Sequence, residues 1–222
     1  MTKRQAILFV SALTIIFAFY RSNTASHIHT SEDCSCVAPL GSCSASVSCG
    51  QGCIAFCGSY DCYAECSGSY AFLGTEVTLE LRNGTYPQLV TELARFSGRT
   101  LAFSATKPNT TFNVGFKRAL LWDALESLSD RGSLYVAGQD FERFRSLRKL
   151  LLSNEKISFG VKNTPVNTFV NDMAGLTGLR LRITAGNPTA TISMQLEDVT
   201  FDDILLKASE QTGAKIVEQR AP

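Results

Sequence analysis

Histidine is almost missing from this 222-residue chain: the only two are His27 and His29. Tryptophan occurs once, at position 122, and no cysteine lies outside positions 34–66. No G-x-S-x-G and no G-x-G-x-x-G is present, so the serine-hydrolase elbow and the dinucleotide loop are both lacking. Excess charge of either sign is lacking too. With 21 basic and 20 acidic residues, no global field exists to hold nucleic acid or an anionic membrane. The longest apolar run, Ala6 to Tyr20, is shorter than the roughly 20 residues that span a bilayer. What remains is ordinary globular composition, 45% hydrophobic and 18% charged, enough to build a core.

Lys3 and Arg4 stand before that apolar run and the polar stretch RSNTASH follows it, the layout of a cleaved export signal over residues 1–26. Thr24, Ala25 and Ser26 offer a cleavage region. Cys34 follows Ser31, Glu32 and Asp33 rather than small apolar residues, so no lipid anchor is expected there. Membrane contact is expected only through an uncleaved N-terminus.

All eight cysteines, Cys34, Cys36, Cys43, Cys49, Cys53, Cys57, Cys62 and Cys66, lie in a Gly- and Ser-rich segment, residues 27–72. It holds few large apolar residues, so it is expected to bury no core of its own. An even count in an exported chain points to four disulfides whose pairing the spacing leaves open. The alternative is a metal-binding or redox head, because Cys49, Cys53 and Cys57 recur every four residues, as do Cys62 and Cys66, and would line a helix face with thiolates. Cleavage after Ser26 would also leave His-Ile-His at the mature terminus, able to chelate copper. No cofactor or metal is expected.

Residues 77–138 lie over residues 157–218 without a gap, with identities that include Asn83/Asn163, Val90/Val170, Ala94/Ala174, Gly98/Gly178 and Leu125/Leu205. Each copy opens with a period of two, Val77, Leu79, Leu81 and Ile157, Phe159, Val161, which puts the apolar side chains on one face of a strand. A helical period follows, Leu89, Val90, Leu93, Phe96 and Phe169, Val170, Met173, Leu176. Thr164 before Pro165 suits an N-cap, and Gly98 and Gly178 suit the left-handed residue that ends a helix. The remaining periods give strand, helix, strand, strand, helix, strand in about sixty residues. Leu125 and Leu205 are both expected in the core. Asp123 and Asp203 fall in the first turn of the second helix, where the helix dipole favours a carboxylate. The expected class is α+β: units at 73–138 and 156–222, a disulfide-rich segment before them and an amphipathic connector helix at 139–155, with Phe141, Phe144, Leu147 and Leu151 on its apolar face.

Two stretches carry a resemblance: Leu81 to Gly98 with Leu121-Trp122-Asp123-Ala124-Leu125, and Val161 to Gly178 with Phe201-Asp202-Asp203-Ile204-Leu205. Both resemble the short N-terminal (STN) domain of secretins and TonB-dependent receptors. The resemblance implies a periplasmic or outer-membrane-associated protein that binds proteins, and the double repeat without histidine in the folded region leads us to expect no enzyme. It implies partners among envelope proteins: secretion or TonB-type machinery, or regulators. A cysteine-rich segment ahead of the repeats and no barrel after Pro222 depart from those proteins and point to a free-standing adaptor or assembly factor.

Overall fold

A computed structural model of the chain describes residues 33–219 apart from 39, 40, 51, 106 and 108. The export signal, His27 and His29 lie outside the described residues.

Alternation in the sequence becomes antiparallel pairing in the structure. The first copy runs β5 (Glu76–Gly84), α1 (Tyr86–Ser97), β6 (Leu101–Ser104), β7 (Phe112–Leu120), α2 (Leu121–Ser129) and β8 (Ser133–Val136). The second runs β10 (Ile157–Pro165), α4 (Val166–Thr177), β11 (Leu181–Ala185), β12 (Thr191–Val199), α5 (Phe201–Thr212) and β13 (Lys215–Glu218). Within each copy the first strand pairs with the third and the second with the fourth, all antiparallel. The helices touch both strand pairs, so the apolar faces close on them.

The bends match as well as the strands. Positive φ recurs at Asn83 and Asn163 (51° and 49°), at Arg118 and Asp198 (52° and 58°), and at the helix-ending Gly98 and Gly178 (59° and 71°). A cross-strand side chain steadies the first of these bends in each copy: Asn83 N–H donates to Asn113 Oδ1 at 2.7 Å, and Asn163 N–H to Ser193 Oγ at 2.9 Å.

Between the copies, β9 (Gln139–Asp140) adds an edge to β8, and helix α3 (Phe141–Leu152) buries Phe141, Phe144, Leu147 and Leu151. The Phe141 ring lies 5.3 Å from that of Trp122, and the Arg148 guanidinium stands over the indole at 4.6 Å. Of the connector's basic residues Arg143, Arg145, Arg148 and Lys149, Arg148 is thus spent on packing, and Arg145 is bonded to Asp130 at 2.9 Å.

The cysteine-rich segment corrects one expectation. Even spacing on a strand points side chains to one face, and here Cys34 and Cys36 share β1 (Asp33–Val37), Cys53 and Cys57 share β3 (Cys53–Cys57), and Cys62 and Cys66 share β4 (Cys62–Cys66). The spacing of four is a strand spacing. The hairpin of β1 and β2 (Ser44–Ser48) lies against the hairpin of β3 and β4, bridged by Cys34–Cys53, Cys36–Cys57, Cys43–Cys62 and Cys49–Cys66. The segment therefore has a small core of its own, built of sulfur and alanine. Its other face supplies Ile54, Phe56 and Tyr63 to the main core, because β3 pairs with β10 in a four-stranded sheet of order β12-β10-β3-β4. Chain-entropy arguments assign about 3 kcal/mol to closing each loop of this size.

Two local expectations also change. Thr164 lies within β10 instead of capping α4; Pro165 takes the cap position, and the buried Thr164 hydroxyl meets Ser67 Oγ at 2.6 Å. Leu125 is fully buried, whereas Leu205 is only partly covered.

Candidate docking surfaces

Two strands with the same alternation have different surroundings. β10 is hydrogen-bonded on both edges, to β12 and to β3, and its first five residues are all buried. β5 pairs with β7 alone, and its outward residues Thr78, Glu80 and Arg82 are exposed. The cause lies in the outward side chains. At Ser158 and Gly160 the β1 hairpin comes down onto the sheet, so close that a Cβ on Gly160 would stand 2.8 Å from the Ser35 carbonyl. Gln195 Nε2 donates to that same carbonyl at 3.1 Å. On β5 the corresponding positions carry Thr78 and Glu80, and Glu80 pairs with Arg82 at 2.7 Å. Inward, Phe159 is fully buried and its ring sits 5.2 Å from that of Phe56, whereas Leu79 and Leu81 are half-buried.

The seam between the copies is built on one helix. The 3-10 turn Ala71–Gly74, just ahead of β5, packs on α4 where Gly175 leaves room; a Cβ there would stand 2.1 Å from the Tyr70 carbonyl oxygen. Asp172, fully buried, accepts backbone N–H bonds from Gly68 (2.7 Å), Tyr70 (3.0 Å) and Ala71 (3.0 Å). Burial pushes its carboxyl up to about 6 even against those three donors. Burial likewise raises the Tyr70 hydroxyl. Beside the seam lies a cleft of about 360 Å³, lined among others by Thr75, Glu76, Asn171, Arg180 and Gln219. Glu76 and Arg180 face each other there at 3.7 Å, so its charges are matched.

All eight predicted cysteines are paired, and among the described residues none is free. The sulfurs of Cys36, Cys57 and Cys62 lie within 4.8 Å of one another, yet each is in a disulfide, and a metal needs thiolates. Trp122 is a packing residue, fully buried. Asp203 closes a capping box with Thr200, whose backbone and hydroxyl hydrogens hold the Asp203 carboxyl below the ordinary range. The acidic residues Glu197, Asp198, Asp202, Asp203 and Glu210 are exposed; Asp198 pairs with Lys156 and Glu210 with Lys207, each at 2.8 Å.

Sequence reasoning missed three features. Asp172 and Gly175 stand where the first copy has Glu92 and Arg95, and an acid and a glycine inside an apolar helix were the available signal. Ser146-Leu-Arg-Lys149 has S-x-x-K spacing, but both side chains are exposed on α3 and the Ser146 hydroxyl bonds to Tyr63. Among the described residues no helix is long and apolar enough to cross a membrane. No family model, no curated protein and no solved structure matches this chain.

Proposed function

We propose that this protein is an exported, non-enzymatic interaction module of the bacterial envelope, made of two tandem STN-like domains and acting as an adaptor or as an assembly or signalling component. The observation that carries the reading is the shared backbone of the two copies: the same strand pairing, with positive-φ bends at Asn83/Asn163 and Arg118/Asp198. A small unit that keeps such detail twice, with its polar groups spent on caps and turns, is a scaffold for surfaces. Four disulfides fit an oxidising compartment, which for this reading is the periplasm, with the partners being secretion or TonB-type machinery or their regulators.

Fractionation of bacteria producing the chain, followed by thiol labelling, is the direct test. The expected result is an oxidised protein in the periplasmic or outer-membrane fraction that forms position-specific crosslinks to envelope proteins. A reduced cytoplasmic protein that turns over a small substrate would overturn the proposal.

A second reading, a metal-binding or redox head, has one observation in its favour, the three sulfurs within 4.8 Å. It requires the bridges to open first. Stoichiometric zinc or copper in the natively purified protein would support it, and metal-free protein carrying four disulfides would remove it.

A further inference from the structure

We infer that the open edge of β5, from Thr78 to Arg82, accepts one extended segment of a partner protein as an added antiparallel strand, in the register that β3 takes on β10. The inference rests on the reading above and names its docking site and the form of its partner.

The second copy shows how this edge is used. An offset of 80 positions places Thr78–Arg82 on Ser158–Lys162, the five residues to which β3 is paired. The two edges have the same shape because their strands carry the same bends and face equivalent partners, β7 and β12. On β10, Phe56 stands opposite Phe159 and Ile54 opposite Val161, completing the inward apolar row. On β5 the corresponding Leu79 and Leu81 have no such neighbours and remain half-buried. An exposed strand edge also keeps a row of unpaired N–H and C=O groups that an added strand satisfies. β7 has an open side as well, but its counterpart β12 ends its own sheet, so the internal precedent selects β5.

The same comparison defines the ligand. It is extended over five residues and carries two apolar side chains two positions apart, set against Leu81 and Leu79. Its outward residues are polar, since Glu80 and Arg82 occupy the face that Gly160 leaves clear for the β1 hairpin. For that reason the partner lies as a single strand and brings no capping hairpin. Each chain takes one, because the β10 edge is closed by β3, which is bridged at both ends through Cys53 and Cys57.

A suitable probe is the chain's own β3 sequence with serine at both cysteine positions, Gly-Ser-Ile-Ala-Phe-Ser-Gly, titrated into the oxidised full-length protein and followed by amide NMR. Saturable shifts confined to Thr78–Arg82 and their β7 partners, at one peptide per chain, are expected. The control Gly-Ser-Ser-Ala-Ser-Ser-Gly should leave them unmoved. Amides of Thr78–Arg82 that stay still at millimolar probe, or shifts that fall on Ile157–Lys162 instead, overturn the inference. A photoreactive residue at Glu80, compared with one at Glu210, then separates this failure from failure of the interaction-module reading in intact cells. Crosslinks at Glu80 that the probe competes away support the edge. Crosslinks at Glu210 alone overturn the edge and spare the module, and none at either position removes both.

Discussion

The two copies begin with the same strand and give it different fates. Both β5 and β10 turn an apolar row inward, and both bend at an asparagine with positive φ. What separates them is the outward row: Thr78, Glu80 and Arg82 against Ser158, Gly160 and Lys162. Small outward residues let a disulfide-bridged hairpin settle on β10 and make it an interior strand, while the charged pair on β5 keeps the outer face wet. The inward pattern therefore decides that a strand forms, and the outward pattern decides what else comes near it.

Exchanging the outward residues is the harshest way to break that comparison. Gly160→Glu puts a side chain where the Ser35 carbonyl already stands, in a buried position, and a loss above about 4 kcal/mol is expected. The reverse exchange, Glu80→Gly, removes only an exposed ion pair and adds strand flexibility, for about 1 kcal/mol. Urea denaturation of the oxidised protein measures both. Equal losses would show that the β1 hairpin does not depend on the small residues beneath it.

The paired leucines sharpen the comparison in the helices. Leu125→Ala empties a fully buried site in α2 and should cost about 2–5 kcal/mol. Leu205→Ala, in the equivalent place on α5, should cost less than half as much because Leu205 already reaches solvent. Thermal melts that shift alike for the two variants would contradict the difference in burial.

Much of this architecture was legible before the structure. Period-two and helical spacing located the strands and helices of both copies, and Gly98 and Gly178 marked the helix ends, because these features depend on neighbours a few residues away. The β3–β10 pairing was not legible, since it joins residues about a hundred positions apart and β3 alone reads only as a short cysteine-bounded stretch. The hint was Gly160 and Ser158 in a strand that otherwise copies β5. The seam was missed for the same reason: Asp172 makes sense in a buried helix face only once Gly68, Tyr70 and Ala71 are seen to point their N–H groups at it.

Asp172 also separates the copies by pH. Its counterpart Glu92 reaches solvent and pairs with Arg95 at 3.0 Å, whereas the Asp172 carboxyl is raised to about 6 by burial. A folded-state value above the unfolded one means the folded protein holds the proton longer. The contribution is therefore fully present below about pH 4 and is lost as the pH rises through 6, a change of roughly 3 kcal/mol. Denaturation of the parent and of Asp172→Asn between pH 4 and 7 should show that slope in the parent alone. The same slope in both would assign it to another group.

The smallest difference is at the start of the second helix of each copy. On α5, Thr200 Oγ1 accepts the Asp203 N–H at 3.3 Å, and Asp203 Oδ2 takes the Thr200 N–H at 2.9 Å. On α2 the cap position is Leu120, which makes no side-chain bond and packs against the core instead. Thr200→Ala should then cost about 1 kcal/mol at neutral pH. The cost should shrink as the solution is acidified through the carboxylate range, because Thr200 holds the Asp203 carboxyl below its ordinary value and that stabilisation goes once Asp203 is protonated. Leu120→Thr should return less than Thr200→Ala removes, since the new cap comes at the expense of a packed leucine. Denaturation at pH 7 and pH 3 decides the matter. A Thr200→Ala variant as stable as the parent at pH 7 would mean that α5, like α2, is held by its apolar face and not by its cap.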